Sequence, residues 1–178
     1  MKIYTKTGDK GSTSLANGKR IKKDSQVISA IGQVDELNSI IGLVIASDVK
    51  DRKLENMLLR IQNELFCIGA MLALNKTNSS KVNISNKDIL QLEKSIDLMD
   101  SKLSTLKNFI LPGGSYQSGL LHFSRSICRR TEINVLKLRL GRKFHIINKY
   151  LNRLSDFLFV AARYTNKMNN TKEHVWKV

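Results

Sequence analysis

The chain has 178 residues, with 30 Lys and Arg against 15 Asp and Glu and a formal net charge of +15. That length fits one domain with a single buried core, and no unbroken apolar run approaches the roughly 20 residues of a membrane span. The excess charge calls for an anionic partner, whether nucleotide, nucleic acid or acidic membrane, without choosing among them.

The opening segment, Met1 to about Lys23, is rich in Thr, Ser, Gly and Lys and reads as a loop set against whatever follows. It carries neither the apolar stretch of a secretory signal nor the Arg/Ser bias of a transit peptide, so a cytoplasmic location is expected. Within it, Tyr4 to Ser14 crowds hydroxyls, two glycines and two lysines together, a composition suited to wrapping an oxyanion with backbone N–H groups and cations. It lacks the Walker spacing GxxxxGK[ST], so P-loop chemistry is not expected.

Apolar residues then recur at three- and four-residue spacing, which predicts a nearly all-helical chain. A first helix starts from about Asp24 as N-cap and carries Val27, Ile31, Val34, Leu37, Ile41 and Val44, interrupted by Asp35, Glu36 and Asn38. A second carries Leu54, Leu58, Ile61, Leu65, Ile68 and Leu72, and Asn75 to Asn83 follows as a polar loop. Ser85 with Asp88 three residues on resembles a capping box and opens a third helix through Leu103. Leu111-Pro112-Gly113-Gly114 is the sharpest break in the chain. A fourth helix runs from about Ser115 toward Leu140, with Gly141 as its C-cap, and a fifth covers roughly Ile147 to Asn166. Short connections between such helices favour antiparallel neighbours in a bundle.

Cys67 and Cys128 lie in separate apolar patterns and read as small core residues, and His122, His145 and His174 are too scattered for a zinc site. On the fourth helix Arg125, Arg129 and Glu132 share one face, with Arg130 turned to its side. Such a row is commonly a solvated surface paired to acidic neighbours. Its forked guanidinium groups would also suit the clamping of a triphosphate. Asn152, Arg153 and Asp156 of the fifth helix and Asp35, Glu36 and Asn38 of the first are the natural partners, and leaving Arg125 unpaired in a buried contact would cost about 3 to 5 kcal/mol.

Four segments in order, YTKTGDKGSTSL, VDELNSIIG, FILPGGS through RSICRRTE, and YLNRLSDFLFVAARYTN, resemble the PduO-type ATP:cob(I)alamin (corrinoid) adenosyltransferases. The resemblance implies a homotrimer of five-helix bundles with active sites between subunits. It divides the chain into a phosphate-binding loop segment (1–23), a helical bundle (24–166) and a C-terminal tail (167–178). The implied reaction moves the 5′-deoxyadenosyl group of ATP to the cobalt of cob(I)alamin, with ATP and cobalamin as substrates and Mg²⁺ on the phosphates. A reductase or mutase is a possible partner, and neither nucleic acid nor membrane is expected.

By the same resemblance, Thr5, Lys6, Thr7, Gly8, Thr13, Ser14 and Lys23 hold the nucleotide from one subunit. Arg129, Arg130, Thr131, Glu132 and Asn152 hold it from the neighbour, Asp35 pairs across the interface with Arg125, and Phe109 lies under the corrin ring. The sequence departs from the family's CRRAER at Thr131 and Ile133, and its stretch Lys23 to Ile28 lacks an arginine often found there, while Lys23 and Asp24 are in place. A basic nucleic-acid-binding protein and a helical scaffold are the rival readings from other classes, though no helix-turn-helix or aromatic-basic RNA motif is present.

Overall fold

The computed structural model describes residues 3–4, 6–75 and 82–177, apart from the Lys143 side chain. Thr5 and most of the polar loop Asn75 to Asn83 lie outside the described residues. Five helices form: α1 (Gln26–Ala46), α2 (Arg52–Leu74), α3 (Asn86–Asp100), α4 (Tyr116–Lys137) and α5 (His145–Met168), with a 3-10 turn at Arg142–Phe144. α1 packs against α2 and α4, and α5 packs against α4 and α3. Leu37, Ile41, Leu58, Ile61, Leu65, Ile68, Leu92, Leu121, Tyr150 and Phe157 are among the fully buried residues, so the apolar face predicted for each helix closes on one core.

Caps explain where the helices begin. Asp51 starts α2 by accepting from the Lys53 and Leu54 amides at 2.7 and 3.3 Å, and its other oxygen accepts from the Tyr164 hydroxyl at 2.7 Å, tying α2 to α5. Ser85 and Asp88 form the predicted capping box. Asp88 also takes a bond from Arg60 at 2.7 Å, and Arg60 reaches Glu64, which accepts from the buried Tyr150 hydroxyl at 2.6 Å.

Three expectations are corrected. Ser25, and not Asp24, stands at the N-cap position of α1, without a side-chain capping bond among the described residues. α4 stops at Lys137, and Gly141 precedes the 3-10 turn without capping α4, because Arg139 takes up the left-handed conformation first. The opening segment is not simply a loop: β1 (Ser12–Ser14) and β2 (Arg20–Lys22) pair antiparallel in a hairpin. α1 and α2 are each long and apolar enough, by length and mean hydropathy of 1.3 and 1.4, to cross a membrane. Neither is an unbroken apolar run, since polar and charged residues interrupt both. In the fold they serve as bundle helices, with Asp35 and Glu36 in mid-α1 and Arg60 and Glu64 in mid-α2.

Candidate active site

The hairpin makes the opening segment a shaped loop. Asn17 and Gly18 turn the chain, with the Gly18 amide donating to Leu15 O at 2.9 Å and the Lys19 amide to Asn17 Oδ1 at 3.0 Å. Arg20 then reaches back along the loop: its guanidinium donates to Thr7 O at 2.9 Å, Ser12 O at 3.2 Å and Ser14 Oγ at 3.3 Å. The Lys23 amide donates to Gly11 O at 2.9 Å. A Cβ on Gly8 would stand 3.1 Å from Lys23 Nζ, so the absence of a side chain there lets the ammonium lie against the loop backbone. Lys6, Thr7, Gly8, Thr13, Ser14 and Lys23 therefore belong to one small, mostly exposed unit. Arg20, which sequence reasoning passed over, is its brace. The Asn17-Gly18 dipeptide was the available signal for the hairpin.

On α4 the arginines part company. Arg130 is engaged within its own chain, donating to both oxygens of Glu36 at 2.7 and 2.8 Å. Both side chains are about half exposed, so the pair is worth at most about 1 kcal/mol. Arg129 is exposed and has no hydrogen bond or ion pair among the described residues. On the same face, Glu132 accepts from Asn152 Nδ2 of α5 at 3.3 Å, so the predicted meeting of the α4 row with Asn152 is made through Glu132. Thr131 points the other way. It is 0% exposed, and its hydroxyl donates to Ile127 O at 2.9 Å and to Gln33 O of α1 at 3.3 Å. The Thr131 side chain thus belongs to the α4–α1 contact and is not brought to the face of Arg129.

Arg125 lies in a third environment. Its guanidinium carbon sits 5.9 Å from the centre of the Phe159 ring, and its Nε is buried with no hydrogen-bond partner among the described residues. His122, one turn earlier and 3% exposed, stacks edge-on to the same ring at 6.0 Å, and both of its ring nitrogens are unpartnered. Burial, with the Arg125 charge beside it, pulls His122 down to about 4, so it is neutral near pH 7. Asp35 is not near this group. It is exposed, on the side of α1 facing α2, in an apolar groove with Ile31, Leu65, Phe66 and Gly69. Of Asp35, Glu36 and Asn38 on α1, only Glu36 meets an arginine among the described residues; Asn38 instead exchanges bonds with the Gln62 backbone and side chain.

Phe109 is 77% exposed, on the loop between α3 and α4. Its ring meets Trp176 edge-on at 6.2 Å, and the two line a cavity of about 490 Å³ with Leu106, Lys107 and Asn108. Among the described residues no group of three or more His, Cys, Asp and Glu could hold a metal. Cys128 is buried and its thiol donates to Leu151 O at 3.2 Å, as a core residue does, whereas Cys67 is only half-buried.

The chain is thus a five-helix bundle that presents a glycine-lysine hairpin loop, an exposed arginine beside a Glu–Asn pair, and an open aromatic shelf. The fold matches that of a variant PduO-type ATP:corrinoid adenosyltransferase from Lactobacillus reuteri complexed with cobalamin and ATP, with a TM-score of 0.91 and 32% identity over 99% of this chain and 100% of that one. A second variant of the Lactobacillus reuteri protein, complexed with ATP, matches with a TM-score of 0.89 and 34% identity over 98% of this chain and 100% of that one. The family profile described as Cobalamin adenosyltransferase spans residues 3–165, and the chain belongs to that family. A corrinoid adenosyltransferase from Bacillus subtilis is 44% identical, covering 93% of this chain and 87% of its own length. The corrinoid adenosyltransferase MMAB of Homo sapiens is 40% identical, covering 98% and 73%.

Proposed function

We propose that the chain transfers the 5′-deoxyadenosyl group of ATP to the cobalt of cob(I)alamin, releasing triphosphate. Cobalt attacks the 5′ carbon in line, the cobalt–carbon bond forms as the carbon–oxygen bond breaks, and the electron pair leaves on the triphosphate. Cobalt is the nucleophile, so no side chain has to take a proton. The protein's share is orientation and cationic stabilisation of the leaving group.

The observation that carries this reading is Arg129, an exposed guanidinium with no partner among the described residues, beside the Glu132–Asn152 pair. Together with the loop of Lys6, Thr7, Gly8, Thr13, Ser14 and Lys23 it would grip the nucleotide, the loop and the arginine coming from neighbouring subunits of a homotrimer. Thr5 is assigned to the same loop. Arg130 would join the grip by exchanging Glu36 for phosphate, a small cost for so exposed a pair. Two features support assembly. Arg125 and His122 hold unpartnered buried polar atoms, and Asp35 sits in an exposed apolar groove beside Phe66, which is 70% exposed. Pairing Asp35 of one copy with Arg125 of another would satisfy both. Phe109, exposed on its open shelf, would meet the corrin face and crowd out the lower axial ligand.

The described residues offer no carboxylate cage that fits Mg²⁺, so the ion would come with ATP as its counter-ion, held by phosphate oxygens and water. A cytoplasmic location and a reductase or mutase partner belong to the same reading.

The test is direct: the protein is mixed anaerobically with ATP and chemically reduced cobalamin, and the absorbance change to adenosylcobalamin is followed. No change over the uncatalysed mixture would remove the assignment.

A further inference from the structure

Phe109 sits mid-loop between two well-anchored ends, and both anchors come from the last turns of α5. At the near end, Arg163 Nη2 donates to Ser104 O at 3.0 Å, and Lys167 Nζ reaches Lys102 O. At the far end, Asn166 accepts from the Ser115 amide at 2.9 Å and donates to Gly113 O at 3.0 Å. Between them, the only bonds the loop makes outside itself among the described residues are to the tail. The Leu111 amide donates to His174 O at 2.8 Å, the Trp176 amide donates to Phe109 O at 2.8 Å, Ile110 bridges Val175, and the Trp176 ring meets Phe109 edge-on. The tail is therefore a one-strand strap across the middle of the Phe109 loop.

The strap is itself anchored in two places. The Thr171 amide donates to Asn166 O at 2.8 Å, and Glu173 accepts from Arg163 Nε at 3.2 and 3.3 Å. Arg163 is 5% exposed, so its charge is poorly solvated and Glu173 is the carboxylate that answers it. The same guanidinium thus holds the loop at Ser104 and the strap at Glu173.

We infer that Arg163, through its latch to Glu173, is a positioning residue for Phe109: it docks the C-terminal strap that keeps the Phe109 ring in place for the corrinoid substrate. This rests on the reading of Phe109 as the corrin-side group.

The test uses the full chain carrying Glu173→Gln, which removes the charge and keeps the shape, with Arg163→Lys as a second variant and Glu173→Asp as the conservative rescue. Amide hydrogen exchange at Leu111 and Trp176 should accelerate at least about tenfold in Glu173→Gln while the α2 core amides keep their protection, since the opening is local. Turnover with cobalamin should fall about tenfold while KM for ATP stays within about twofold, because only the corrin-side geometry is loosened. Glu173→Asp should recover most of both. Unchanged exchange at Leu111 and Trp176 overturns the latch, and faster exchange with normal turnover overturns its positioning role. Phe109→Ala in parallel separates the two readings: normal turnover in that variant removes the corrin-side assignment, whereas a normal exchange pattern in Glu173→Gln removes the latch.

Discussion

Gly114→Ala is the sharpest test of how the turn before α4 is built. Gly114 has φ +111°, and a Cβ there would lie 2.3, 2.4 and 2.6 Å from Asn166 Oδ1, Nδ2 and Cγ. No real contact is that short, and Asn166 cannot swing aside freely, because it is 1% exposed and its amide is bonded to Ser115 and Gly113. The backbone strain of an L-residue in this region costs about 1 to 3 kcal/mol. Displacing the Asn166 amide forfeits two bonds and strands buried polar groups, adding about 2 kcal/mol. A loss of about 3 to 5 kcal/mol follows, which for a chain this long lowers Tm by about 10 °C. Thermal unfolding of parent and variant measures it. In the double variant with Asn166→Gly the clash disappears, so the combined loss should be smaller than the sum of the single losses. A Gly114→Ala chain within about 1 kcal/mol of the parent would show that the turn does not depend on this close approach.

Phe109→Ala should slow adenosylation far more than it weakens ATP binding, as followed by turnover and by nucleotide titration; equal damage to both would end its corrin-side role. Arg129→Ala should lose about 100-fold or more in turnover with assembly intact by light scattering, and near-normal turnover would take it out of the site. Asp35→Ala and Arg125→Ala should each impair corrinoid turnover, and a double variant no worse than either single one would show direct coupling, whereas fully additive losses would deny it. His122 has a folded pKa of about 4 against an ordinary 6.5, so the unfolded chain binds the extra proton between these values. Its contribution is present in full above about pH 6.5 and is lost as pH falls through about 4, amounting to about 3 kcal/mol. Denaturation midpoints across that window should therefore fall less steeply for His122→Gln than for the parent, and parallel curves would show that His122 is not the group responsible.

What could be read from the sequence was whatever obeys a local period or a local bond. Leu58, Ile61, Leu65 and Ile68 announce a buried helix face by spacing alone, and Ser85 with Asp88 announces its own capping box. The hairpin was harder to see because its strands are three residues each and Ser12, Thr13 and Ser14 show no apolar alternation. Spacing put Arg125, Arg129 and Glu132 on one face but could not assign partners, since those depend on how α1 and α5 pack on α4. Hence Glu36 and not Asp35 meets an arginine within the chain, and Thr131, one residue from that face, is turned into the core. The strap escaped notice for the same reason: Arg163, Glu173 and Trp176 meet the Phe109 loop only once the tail folds back.

Arg20 also acts on the entropy of binding. One side chain satisfies acceptors at Thr7, Ser12 and Ser14, so the loop is held in shape before any anion arrives. A flexible glycine-rich segment would have to surrender its conformational freedom at the moment of capture, at a cost of about 1 to 2 kcal/mol for each residue that becomes ordered. Here much of that entropy is given up during folding, and on the proposed function binding energy that would otherwise order the loop is left for gripping the nucleotide.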